Sequence, residues 1–186
     1  MHPEFIGFRI DDIEALSLFE YDGVIKERIY QYKGCGDFEL NNIFVGPFVN
    51  ELRFLYNNYE IVVAPSHNTE KMGNHVIFMF QCLGLPIHDI FLKTEPIKQS
   101  DQSYLVRKEI YKYIKLKDEI PNLEGKNLLL VDDICTTGST LKSCIKLLKE
   151  LNPKKIKILV IAKRVFSEEE KMELMKNSNG RELEII

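Results

Sequence analysis

Residues 127–140, NLLLVDDICTTGST, put two adjacent acids at the end of an apolar run and follow them at once with hydroxyls and a glycine. The apolar part reads as a buried strand. The hydroxyl-rich part opens the segment 136–153, TTGSTLKSCIKLLKELNP, in which Leu141, Cys144, Ile145, Leu148 and Leu151 form a helical stripe that Pro153 ends. A strand feeding directly into a helix is one half of a parallel-sheet unit. Ligands of open parallel sheets bind beyond the carboxyl ends of the strands, where Asp132 and Asp133 fall.

Working outward, YEIVVAP (59–65), HDIFLK (88–93), KNLLLVDD (126–133) and KIKILVIAKR (155–164) are short apolar runs, with ELEII (182–186) as a candidate edge strand. A helix is expected from Thr69 to Leu83, between the first two runs. Strands alternating with helices predict an α/β fold with a mostly parallel, doubly wound sheet flanked by helices. Ahead of them, 16–37 reads as a strand, a helix with Ile25, Ile29 and Tyr32 on one face, and a glycine-rich turn. Residues 38–58 read as two helical pieces joined at Gly46 and Pro47. This first part, 1–58, is expected to form a hood or cover, and 59–186 the core of a single domain. The polar, lysine-rich stretch 93–122 suits a solvated helix or hairpin, and equally a flap over a site.

Composition sets outer bounds. The chain has 186 residues, 45% hydrophobic and 28% charged, as in an ordinary globular domain. A formal charge of -3 and a pI near 5.9 give no electrostatic footprint for nucleic acid. Tyrosine-bearing basic stretches such as VRKEIYKYIKLK (106–117) are weak support for a nucleic-acid surface and are explained as well by charged helix faces. The four cysteines form no C-x-x-C pair, so neither a zinc knuckle nor a disulfide framework is suggested. No run approaches the length of a membrane span, and a cytoplasmic protein with no membrane partner is expected.

The chemistry of 132–140 is more specific. Thr136, Thr137, Ser139 and Thr140 supply hydroxyls, Gly138 tolerates unusual dihedrals, and the helix start presents backbone N–H groups, an arrangement suited to a phosphate monoester. Two carboxylates cannot serve the same phosphate. They point to ligand hydroxyls or to a divalent cation beside the phosphate, as in a sugar phosphate. No lysine follows Gly138, so a P-loop is excluded, and no G-x-G-x-x-G occurs. A plain hydrolase is set aside because the sequence offers no Ser-His-Asp arrangement or metal-ligand cluster.

Four apolar residues, Asp-Asp, two more residues and Thr-Thr-Gly-Ser-Thr resemble the phosphoribosyl pyrophosphate (PRPP) motif of type I phosphoribosyltransferases. Within that superfamily the chain is similar to the ComF competence-protein family, also described as amidophosphoribosyltransferase-like, from Phe19 to Arg164. IVVAPSHNTEKMGNH (61–75) matches the family's strand and loop. QSDQSYLVRKEI (99–110) resembles its flap, with Gln99, Ser103 and Arg107 in step. The resemblance implies a type I phosphoribosyltransferase fold with a small hood and flap. It also implies Mg²⁺-dependent transfer of phosphoribose from PRPP to an unidentified base or amine acceptor, with release of pyrophosphate.

Asp132 and Asp133 would then hold the ribose 2- and 3-hydroxyls, directly or through waters on Mg²⁺. Residues 136–140 would bind the 5-phosphate. Pro65, Ser66, His67, Asn68 and Lys71 would form the pyrophosphate loop, and Arg107 would close onto pyrophosphate from the flap as a catalytic partner of the two acids. The family's N-terminal four-cysteine zinc module has no counterpart in these residues, and its Arg-Gly-Phe-Asn-Gln segment is reduced to Lys71-Met72-Gly73-Asn74-His75. Transferases for 6-oxopurines carry an Asp where Thr136 stands, which disfavours a hypoxanthine or guanine acceptor. The alternative implied by the family's name is a non-catalytic module that senses PRPP or a nucleotide, or assists DNA uptake and processing. Transferases of this fold are often homodimers, and no motif here decides that question.

Overall fold

The computed structural model describes residues 5–35, 42–66, 74–93, 113–167 and 169, without the side chains of 33–35 and 42. Its main sheet has the order β1-β2-β8-β7-β3-β4. The strands are β1 (Ile6–Ile10), β2 (Ile13–Glu20), β3 (Tyr59–Val63), β4 (Ile87–His88), β7 (Asn127–Cys135) and β8 (Lys155–Lys163). All neighbours are parallel except the β1–β2 hairpin, which turns through Asp11 at φ 52°. Leu128 to Val131 are fully buried, because β7 lies near the middle of the sheet and is covered on both faces.

The strand's alternation sends Leu129 and Val131 to one core and Leu128 and Leu130 to the other. The first core is roofed by α1 (Gly23–Cys35), α2 (Asn42–Val45), α3 (Val49–Tyr56) and α4 (His75–Phe80). Asp22 starts α1 by accepting the Ile25 N–H at 2.8 Å, which sets Ile25, Ile29 and Tyr32 inward as the spacing predicts. Gly46 and Pro47 interrupt α2 and α3 with one 3₁₀ turn, Gly46–Phe48. The second core is covered by α5 (Ser139–Glu150), whose Leu141, Cys144, Ile145 and Leu148 are buried. It is also covered by the antiparallel pair β5 (Phe91–Lys93) and β6 (Ile114–Leu116).

Three expectations change. Residues 13–20, read as part of a cover, form a strand of the main sheet: Ala15 to Glu20 pair in parallel with Ile158 to Lys163, and Leu18 is fully buried. HDIFLK is two strands, β4 in the main sheet and β5 in the small one. Its hydrophobic pattern was read without the break at Asp89-Ile90, which sends the chain from one sheet to the other. The helix expected from Thr69 starts at His75 among the described residues and ends in a 3₁₀ turn at Leu83. The edge strand proposed at 182–186 lies outside the described residues, as do 94–112 of the stretch expected to form a flap; β5 and β6 stand on either side of them in sequence. Among the described residues no helix is long and apolar enough to cross a membrane.

Candidate functional site

β3 and β7 stay in register only to Val63 and Val131, whereas β8 follows β7 on to Cys135. The last four residues of β7 therefore project past one neighbour while the other holds them. Asp132 and Asp133 occupy this projection. Asp133 is buried, and its Oδ2 lies 2.6 Å from His75 Nε2. Asp132 turns to the other side of the strand, toward half-buried Lys93, whose pKa burial lowers, an effect that the Asp132 carboxylate opposes. Asp132 Oδ1 also accepts the Asp133 N–H at 2.8 Å.

The chain leaves β7 through exposed Thr136 and Thr137 and turns at Gly138, whose φ of 73° is left-handed and suits glycine. Gly138 is the N-cap of α5 and brings no side chain to bond the first amides of the helix. The Thr137 and Ser139 hydroxyls lie 2.9 Å apart, and Ser143 Oγ donates to the Ser139 carbonyl at 2.8 Å. Thr140 is partly exposed beside them. Beneath the loop Cys135 is buried, which pushes its thiol pKa up to about 11, so it is an apolar filler rather than a nucleophile.

The loop after β3 approaches from the opposite side. Pro65 is buried and Ser66 half-buried. Ser66 Oγ is 3.1 Å from His75 Nδ1, so Ser66, His75 and Asp133 form one line of side chains across the carboxyl edge. Against an ionised carboxylate Nε2 carries the hydrogen. Tyr32 closes the back of this line. Its hydroxyl donates to the His75 carbonyl at 3.3 Å, and burial, with a smaller contribution from Asp133, raises its pKa to about 12.

The structure thus brings Asp132, Asp133, Thr136, Thr137, Gly138, Ser139, Thr140, Pro65 and Ser66 to one edge of the sheet. His67, Asn68, Lys71, Gln99, Ser103 and Arg107 lie outside the described residues. His75 is the residue that sequence reasoning missed. It was read as the end of a degraded motif, although a histidine just after Asn74, a strong N-cap type, was a usable signal. The expectation that no Ser-His-Asp arrangement exists is corrected as well. The three do align, but with serine on Nδ1 and acid on Nε2, the reverse of hydrolase wiring.

Paired acids and a hydroxyl-rich helix start thus lie at the carboxyl edge of a mostly parallel sheet, the edge at which open α/β sheets bind ligands. The chain matches the phosphoribosyl transferase domain family over residues 50–184 and belongs to that family. It has the α/β fold of type I phosphoribosyltransferases and is ComF-like. It is similar to Competence protein ComFC of Streptococcus pneumoniae, with 32% identity over 146 residues, 76% of this chain and 64% of that one. It is also similar to Competence protein ComFC of Bacillus subtilis, with 27% identity over 139 residues, 72% and 57% of the two chains. The chain thus spans less than two thirds of either relative. A crystal structure of a hypoxanthine-guanine phosphoribosyltransferase from Bacillus anthracis superposes with a TM-score of 0.47 and 21% identity, covering 70% of this chain and 75% of that one.

Proposed function

We propose that the chain binds PRPP and transfers its phosphoribosyl group to a base or amine acceptor, releasing pyrophosphate. The observation that supports this best is the order of groups along β7 and α5. Two carboxylates of different surroundings are followed within a few residues by a left-handed glycine that opens an uncapped helix. A 5-phosphate suits the amides and hydroxyls of 136–140, because the helix start favours an anion and presents donors. The ribose hydroxyls suit the acids, which accept hydrogen bonds when ionised. Ser66 and the loop after it would take the pyrophosphate, with Arg107 closing over it.

The donor set fits Mg²⁺: hard carboxylate oxygens beside a place for substrate phosphates match an ion that keeps waters and shares substrate oxygens. Asp132 and Asp133 turn to opposite sides of β7, so they would hold the ion through its waters and the ligand rather than chelate it as a pair. When bound, the ion neutralises charge on the departing pyrophosphate. The protein's own residues orient the sugar, shield it from water and hold the leaving group.

The test is calorimetric titration with PRPP and Mg²⁺, repeated on Asp132→Asn/Asp133→Asn. Binding that the double variant loses supports the site, and pyrophosphate release in an acceptor screen then tests transfer. A folded wild type that binds no PRPP defeats the proposal. The second reading, a non-catalytic protein acting in DNA uptake or processing, is favoured by the similarity to the two Competence protein ComFC chains. Binding of single-stranded DNA without PRPP turnover would put that reading first.

A further inference from the structure

Three separate segments meet at the ring of His75. Its Nδ1 faces Ser66 Oγ at 3.1 Å in the loop after β3, and its Nε2 faces Asp133 Oδ2 at 2.6 Å on β7. The backbone around the ring is pinned. Asn74 Oδ1 accepts the Val76 N–H at 3.1 Å, starting α4, while Asn74 Nδ2 donates to the Ala64 carbonyl at 2.8 Å, tying that start to the loop. Asn74 is itself buried. Tyr32 holds the His75 carbonyl from α1, and its ring centroid lies 6.3 Å from the imidazole.

From this junction we infer that His75 is a positioning residue that couples two subsites, one for a hydroxylated sugar phosphate at Asp133 and one for a polyphosphate at Ser66. The inference rests on the reading above. Fixing the Asp133 carboxylate against ligand hydroxyls fixes Nε2; the rigid ring then fixes Nδ1, and with it the Ser66 hydroxyl. Ordering that the first ligand brings about is not repeated for the second, so each tightens the other.

The side chain can be dissected. In His75→Gln the amide nitrogen can reach the place of Nε2 and keep the Asp133 bond while losing Ser66. In His75→Asn the side-chain amide, through its oxygen or nitrogen, can take the place of Nδ1 and keep Ser66 while losing Asp133. His75→Phe keeps the ring and loses both bonds.

The experiment titrates ribose 5-phosphate and inorganic pyrophosphate into the full chain in Mg²⁺, each alone and each with the other saturating. In the wild type each probe tightens the other by about fivefold or more, the lower end of ordinary coupling between sites. All three variants lose this coupling. Gln selectively weakens pyrophosphate and Asn selectively weakens ribose 5-phosphate. Should Phe fail to fold, Gln and Asn decide. Independent binding of the two probes by the wild type, or coupling that survives in the Gln and Asn variants, overturns the inference and leaves the proposed function standing. A folded wild type that binds neither probe removes both.

Discussion

His75 Nε2 and Asp133 Oδ2 lie 2.6 Å apart, joining the first residue of α4 to a strand residue 58 positions later. The contact gives a buried carboxylate a charge-assisted donor at the carboxyl edge of the sheet. Asp133→Asn keeps the shape and removes the charge. PRPP affinity should fall at least tenfold, about 1.4 kcal/mol, while folding stability changes by about 1 kcal/mol. Calorimetry and urea unfolding on the same variant separate the two effects, and a large stability loss with unchanged affinity would contradict this assignment.

Gly138 carries a different burden. At φ 73° an added Cβ meets the steric penalty of the left-handed region, about 1–2 kcal/mol. Gly138→Ala should therefore lower the urea midpoint and weaken ribose 5-phosphate binding together, because the same turn aims the first amides of α5. A variant with wild-type stability would mean that the turn relaxes freely.

The pH dependence of stability has a marker far from the site. Glu60 receives Lys126 Nζ and His88 Nε2, each at 2.8 Å, and the Lys126 bond first, then His88, holds its carboxyl below the ordinary value of 4.5. A depressed folded-state pKa contributes stability above the unfolded value, and that contribution is lost as pH falls through the folded one. Glu60→Gln should thus be less stable than wild type at pH 7, and the gap should close on acidification below about pH 4. Urea unfolding across pH 3–7 measures this; a gap that widens on acidification would reverse the sign.

Buried Cys135 and Cys144 should resist alkylation in the folded protein. Burial raises both thiol pKa values, Cys144 well above its ordinary value, so little thiolate is present at pH 8. Mass mapping after iodoacetamide treatment should find them modified only after unfolding. Rapid native labelling of either would show that β7 or α5 opens readily.

The part of the candidate site carried by 127–140 was legible because one continuous segment builds it: an apolar run, the acids, the hydroxyls and a helical stripe follow one another along the chain. Ser66, His75 and Asp133 were not legible as a line. Nine and 58 residues separate its members, and only the parallel pairing of β3 with β7 brings them together. Lys163 is a similar case. It reads as the charged end of a strand, yet it is buried, with its ammonium 5.1 Å from the Phe8 ring centroid and 3.2 Å from the Arg164 carbonyl. The place of β2 beside β8 was hidden for the same reason, since an N-terminal strand carries no local sign of which partner 143 residues on will take it.

The Asp132 carboxylate that accepts the Asp133 N–H has one more effect. Val131 points its carbonyl toward the loop after β3, where Ala64 N–H takes it at 2.9 Å, and Asp133, two residues on, faces the same way with no strand among the described residues paired to it there. An uncovered strand margin of this kind is where a foreign chain can add itself. Because the acid next door already occupies that amide, an intruding strand finds one rung fewer to pair with.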